Sequence, residues 1–270
     1  MYTNKVCRYT VLAASFRYWQ GNCVAYYSLT YFNNYGQDSL YGILNGLSLM
    51  IGGFSSQLIA AQISDRYEKQ NPKIKPYVCI VMSILGAIFC SLVYLINYNF
   101  YFSMAMLFLE YLCAEGWMAP AVAMIQITID VRYKGVAMGV FLFSTAIVGT
   151  IGTAIVGVVI SGVTDQKKEG LIIALNTAIP CILAAFTFWI SSIHYGRFKE
   201  QLEKEKDDAQ AKASNLDISD VKTVLSYGHF KRTDSMRNAF EFRLEKELRV
   251  TRDYSSSVQP IKKRPLLMHS

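Results

Sequence analysis

Apolar residues run in six long blocks between Thr10 and Ile193, at about residues 10–32, 39–63, 77–97, 101–129, 136–162 and 171–193. Each block supplies the roughly 20 residues that a helix needs to cross a hydrocarbon core. The pattern predicts an all-α membrane protein, with a six-span transmembrane bundle over residues 1–195 and a polar cytoplasmic tail over 196–270. Arg17 interrupts the first block, so the opening residues do not read as a cleaved signal peptide. In the tail, Glu200–Lys204 and Asp208–Lys212 stand at helical i,i+4 spacing and predict a short charged helix. From Ser214 onward the composition favours disorder.

Polar residues inside the blocks are the informative exceptions. The fourth block holds Glu110, Glu115 and Pro120 where lipid tolerates neither charge nor a broken helix. Intramembrane carboxylates usually face a bundle interior or a water-filled pathway. Proline removes one helix hydrogen bond and clashes with the carbonyl four residues back, here that of Gly116. An acid, a freed acceptor and the large ring of Trp117 thus fall within about one turn, and Gly116 and Pro120 mark a kink. Glu110 and Glu115 lie about 140° apart around a regular helix, so they do not share one surface. Gln126 shares the face of Glu115.

In the first block, Arg17, Gln20, Gly21, Val24, Ser28 and Tyr31 fall on one broad face, with Tyr26 opposite. Such a stripe suits a cavity wall; the other reading has Arg17 snorkelling to the cytoplasmic surface. By helix rise, Arg17 and Glu115 lie at roughly 12 and 20 Å from the cytoplasmic end, a gap that a long Arg side chain nearly bridges. Glu110, about one and a half turns further out, is the poorer partner. Arg17, Gln20, Tyr31, Glu110, Glu115, Trp117 and Gln126 are therefore the candidate pathway residues. Gly42, Gly46 and Gly53 with Ser56 and Ala60 form a small-residue stripe in the second block. Gly135, Gly139, Gly149 and Gly157 form another in the fifth. Small residues let membrane helices approach closely, so both stripes predict packing surfaces.

Charge adds a direction. The net charge is +7, and the chain is 52% hydrophobic with 17% charged residues. Lys and Arg gather before the first block and after the second, fourth and sixth, while the alternate loops are nearly free of them. The positive-inside bias then puts both termini in the cytoplasm. Positive charge spread by topology is not a nucleic-acid signature. The six cysteines show no zinc-like spacing, and five lie within or at the edge of the apolar blocks. No metal and no cofactor are expected. An enzyme is not expected either, because a pair of intramembrane aspartates and any His-Glu-x-x-His are missing.

Asp65-Arg66, following a small-residue span, resembles the Gly-x-x-x-Asp-Arg loop signature of major facilitator superfamily transporters, with Ala61 in place of the first Gly. Glu115-Gly116-Trp117-x-x-Pro120 followed by Arg132-Tyr133-Lys134-Gly135-Val136-Ala137-Met138-Gly139 resembles the helix 10 to helix 11 passage of Spinster-like members. Phe16-Arg17 with Tyr31-Phe32 resembles their helix 7. The resemblance covers about 1–195 and implies the C-terminal six-helix half of a twelve-helix transporter. It further implies alternating access for a small organic or lipid-like solute, in contact with membrane lipid and with a second six-helix half. Two other readings stand beside it. In one, a six-span chain pairs with its own copy; in the other, a truncated chain binds a full-length partner without transporting alone.

Overall fold

A computed structural model describes residues 4–96, 99–163 and 165–215. The chain divides into two units, Met1–Asp207 and Asp208–Ser270. Of the second, only the last residues of one helix fall within the described part. The disorder expected from Ser214 onward falls, beyond Asn215, outside the described residues.

The first unit is a bundle of six helical rods. Four are long and apolar enough to cross a membrane: Ser39–Tyr67, Ile74–Leu95, Val131–Ile160 and Gln166–Asp208. Large apolar side chains cover the outside, among them Phe54, Phe143 and Val158, exposed by 67, 69 and 76%. Apolar surface on that scale is incompatible with a water-soluble monomer. The chain is an integral membrane protein. The other two rods are α1 (Lys5–Asn33) and the segment 100–128, which match the expected blocks 10–32 and 101–129. They fall outside the four for physical reasons. Arg17, Gln20 and Asn22 dilute α1, and the 100–128 rod is divided into α5 (Phe100–Ala114) and α6 (Met118–Thr128).

Local chemistry sets the ends. Asn4 caps α1 by accepting from the Val6 amide at 3.0 Å, and Asn99 caps α5 by accepting from the Phe102 amide at 2.7 Å. Gly36 and Gly162, with φ of 67° and 94°, turn the chain after α1 and α7 (Lys134–Ile160) in a conformation that only glycine adopts freely. The last helix, α8 (Gln166–Asn215), runs 50 residues through Pro180. The charged helix expected after Ile193 is thus a continuation of the last rod, because Arg197–Lys212 supplies good helix formers with no breaker.

The second rod departs most from its sequence pattern. It comprises α2 (Asp38–Ser48), a π-helical turn (Leu49–Gly53) and α3 (Phe54–Tyr67). A π turn adds one residue and so rotates everything beyond it by about 100°. Gly42 and Gly46 consequently face outward, with nothing within 4 Å of where a Cβ would stand, while Gly53, Ser56 and Ala60 are buried. The stripe expected on one face is two stripes on two faces. In α7, Gly135 and Gly139 likewise face open space. Gly149 and Gly157 instead turn inward onto α1: a Cβ on Gly149 would lie 3.2 Å from the Tyr18 carbonyl oxygen, and one on Gly157 would lie 2.8 Å from Tyr27 Oη. These two glycines serve packing within the bundle, not an outer surface. Tyr27 Oη donates to the Thr153 carbonyl at 2.7 Å along the same seam.

The core has two apolar clusters, one around Val11, Trp117, Met124, Phe141 and Phe188, the other around Tyr31, Phe32, Tyr94, Phe100 and Leu107. Along α1, Arg17 and Gln20 fall between the two. A polar layer therefore crosses the bundle at mid-height.

Candidate functional site

The polar layer is built by four rods. Arg17 and Gln20 come from α1, Gly86 and Cys90 from α4 (Ile74–Leu95), and Glu110 from α5. Glu115 and Trp117 come from a 3-10 turn between α5 and α6, and Cys181 from α8. Arg17 is 1% exposed, which rules out snorkelling. Its Nη2 donates to the Ala114 carbonyl at 2.9 Å, and its Nη1 to Cys181 Sγ at 2.9 Å. Glu115 Oε1 stands 3.5 Å from Nη2, and the guanidinium lies 5.7 Å from the centre of the Trp117 ring, within cation–π range. Gly86 makes room for the cation, since a Cβ there would lie 2.7 Å from Nη1.

The break in the fourth rod is upstream of its proline. Helix α5 ends at Ala114, and Pro120 stands in the first turn of α6, where a missing amide costs no helical hydrogen bond. The interruption is the 3-10 turn Glu115–Trp117, and the freed acceptor that Arg17 satisfies is the carbonyl of Ala114, not that of Gly116. Gly116 has a different task. A Cβ there would lie 2.6 Å from the Ser56 carbonyl oxygen and 2.7 Å from Ala60 Cβ, so the glycine lets the turn press onto α3.

The two acids occupy different settings. Glu110 is wholly buried; its Oε1 accepts from Gln20 Nε2 at 3.0 Å, and its Oε2 has no hydrogen-bond partner among the described residues. Gln20 also donates to Cys90 Sγ at 3.3 Å. The Glu115 side chain is 26% exposed and borders a groove of about 410 Å³ with Leu49, Met50, Gly53, Phe54 and Gln57. The layer thus holds one guanidinium and two carboxyls, one sealed and one reachable from outside. Charge counting makes the layer neutral when it holds a single proton.

The remaining candidates lie elsewhere. Tyr31 belongs to an aromatic cluster near the opposite end of α1, at right angles to Tyr94 with centroids 5.2 Å apart, and its hydroxyl donates to the Tyr94 carbonyl at 3.3 Å. It is buried in that aromatic cluster, apart from the polar layer. Gln126 is exposed on α6 and apart from the layer. Arg66 is exposed. Asp65 accepts from the Nζ of Lys75, in the first turn of α4, at 3.2 Å. The centre of that end is Glu68, which sequence reasoning passed over. It pairs with the buried Lys75 and, at 2.6 Å, with Lys199 of α8. Burial alone would push the Glu68 carboxyl up, but hydrogen bonds and charge from Lys199 and Lys75 hold it below the usual carboxylate range. Glu68 and Lys75, seven residues apart across Pro72, were the available signal.

Cys90, Cys181 and Gly86 were also missed as members of the layer. Nothing in their spacing distinguishes them from ordinary membrane-helix residues.

No protein-family model matches the chain. Over 159 residues it is 23% identical to an MFS-type efflux pump of Mycolicibacterium smegmatis, MFS denoting the major facilitator superfamily. That stretch covers 58% of this chain and 37% of the relative, well under two thirds of the relative's length. The chain is thus an integral membrane protein, similar in part to a transporter of major facilitator type.

Proposed function

We propose that the chain is a six-helix half of a secondary transporter, Spinster-like in sequence, that moves a small organic or lipid-like solute by alternating access. All six rods span the membrane in this reading, and both termini are cytoplasmic. The loops rich in Lys and Arg fall at one end of the bundle, which supports that orientation. With native cysteines replaced, a single cysteine at position 70 should be labelled from the cytoplasmic side and one at position 36 from the other. The reverse pattern would overturn the orientation.

The observation that carries the reading is Glu115, held between a buried cation and an open groove at a break in its helix. A carboxyl so placed can exchange a proton with the groove while Arg17 keeps its charge balanced. Glu110 is the second acid that can hold the proton when Glu115 is ionised. The outward glycines Gly42, Gly46, Gly135 and Gly139 support assembly with a second six-helix unit, either a separate half or another copy.

Glu115→Gln keeps shape and hydrogen bonding but cannot ionise. In proteoliposomes holding the complete assembly, the variant should fold and exchange substrate across equal pH, yet lose uptake driven by a pH gradient. Folding should survive because Arg17 keeps its hydrogen bonds to the Ala114 carbonyl and Cys181. Undiminished pH-driven uptake would end the coupling role, and a variant that fails to fold would make Glu115 and Arg17 a static pair.

A further inference from the structure

The proposed transport leaves one charged feature unused. At the end of the bundle where α1 begins, Thr10 and Ser191 hydrogen-bond at 2.9 Å and join α1 to α8. Beside this bond, toward the same end, Tyr9 stacks on His194 with ring centroids 5.5 Å apart and planes 4° from parallel. Around this stack stand Lys5, Arg8 and Arg197, and all three act electrostatically on His194. Arg8 is held by Tyr9, its Cζ lying 5.1 Å from the ring centre and its Nη2 3.5 Å from the hydroxyl. Lys5, Arg8 and Arg197 are exposed, and among the described residues none makes an ion pair, not even with Glu200 one turn along α8.

Like charges repel, so three cations and an imidazole on two touching helices have no structural benefit by themselves. At the same end, Lys75 pairs with Asp65 and Glu68, and Lys199 pairs with Glu68. The apolar surface beside the patch continues toward mid-membrane. Leu12 is exposed one turn deeper than Arg8, and Ile193, Trp189 and Phe186 are exposed along α8 below Arg197. A cationic rim above an apolar seam complements a molecule with an anionic head and acyl chains.

We infer that Lys5, Arg8, His194 and Arg197 form a headgroup site for an anionic phospholipid, whose chains lie along the α1–α8 seam. Soluble phosphate shares the head chemistry, but the exposed apolar seam favours the lipid. The guanidinium groups of Arg8 and Arg197 supply forked donors to the phosphate oxygens, and the Tyr9–His194 stack holds the two helices at a fixed spacing.

The test uses the full chain in nanodiscs of phosphatidylcholine containing a small fraction of phosphatidic acid, with retained lipid counted by native mass measurement. The wild-type chain should retain phosphatidic acid over phosphatidylcholine. R8Q/R197Q should reduce that retention by about tenfold or more, given the usual contribution of each cation near a membrane surface. K69Q/R132Q, which removes the same charge elsewhere at this end, should not. R8K/R197K should restore part of the retention, and equal melting temperatures across the set exclude misfolding as the cause. Equal retention in all variants would overturn the site. Displacement by millimolar inorganic phosphate would overturn the lipid as occupant. A change from dimer to monomer in R8Q/R197Q without change in lipid would show the patch to be a contact between copies and would also overturn it.

Discussion

Arg17→Met should be among the most damaging single substitutions in the chain, costing about 3–5 kcal/mol of stability, because it leaves a buried charge unpaired. The side chain it removes satisfies the Ala114 carbonyl and Cys181, faces Glu115 at 3.5 Å and lies over Trp117. Methionine fills much of the volume but leaves that carbonyl without a donor and two carboxyls without a cation. The expected readout is loss of a monodisperse peak in mild detergent, or a fall of many degrees in melting temperature. Adding Glu115→Gln to Arg17→Met should recover a large part of the loss, since the reachable acid then carries no charge. Residues in one network couple in this way, whereas independent residues do not. Strict additivity of the two substitutions would mean that Arg17 and Glu115 are merely neighbours. Arg17→Lys should fall between, since an ammonium lacks the fork that reaches Ala114 and Cys181 together.

The bundle was legible in the sequence because lipid imposes a simple rule: a helix that crosses must be apolar for about 20 residues. The first five blocks agree with helical rods to within about five residues, whereas the sixth rod, Gln166–Asn215, runs well past its block. Arg17, Gln20 and Glu115 were legible for the complementary reason, since a polar group among apolar ones demands a partner. What the sequence could not give is angular register after an irregular turn. Counting 3.6 residues per turn from Gly42 places Gly53 on the same face, but the π turn at Leu49–Gly53 rotates it inward. The same limit applies to the 3-10 turn at Glu115–Trp117, where proline was credited with a break that the chain makes three residues earlier. Glycine patterns were also ambiguous in principle. Gly139 and Gly149 look alike in sequence, yet one meets open space and the other meets α1, and ten residues apart they stand about 80° from each other around the helix. Gly86, Cys90 and Cys181 have no signature at all; their place in the polar layer comes from Arg17 reaching Gly86 and Cys181 and from Gln20 reaching Cys90.

Gly116→Val should rival Arg17→Met in effect, and it tests the packing of the broken helix without touching a charge. A Cβ at Gly116 would lie 2.6 Å from the backbone oxygen of Ser56, 2.7 Å from Ala60 Cβ and 3.0 Å from Ser56 Oγ. Neither the backbone oxygen nor a methyl fixed to it can rotate away, so α3 must move as a unit or the 3-10 turn must. Overpacking of this kind typically costs about 1–3 kcal/mol, and a β-branched side chain against backbone belongs at or above the upper end. The shift would also carry Glu115, the next residue, away from Arg17 and close or open the groove beside Gln57. Gly46→Val is the matched control, since it adds the same side chain with nothing within 4 Å inside the chain. It should leave the melting temperature of the isolated chain almost unchanged and weaken only assembly with a second six-helix unit. Thermal melting of the three proteins in detergent, beside their native masses in nanodiscs, separates the two effects. If Gly116→Val melted like wild type, the turn would not press on α3 as described. If Gly46→Val destabilised the isolated chain, its outward face would be part of the bundle's own core.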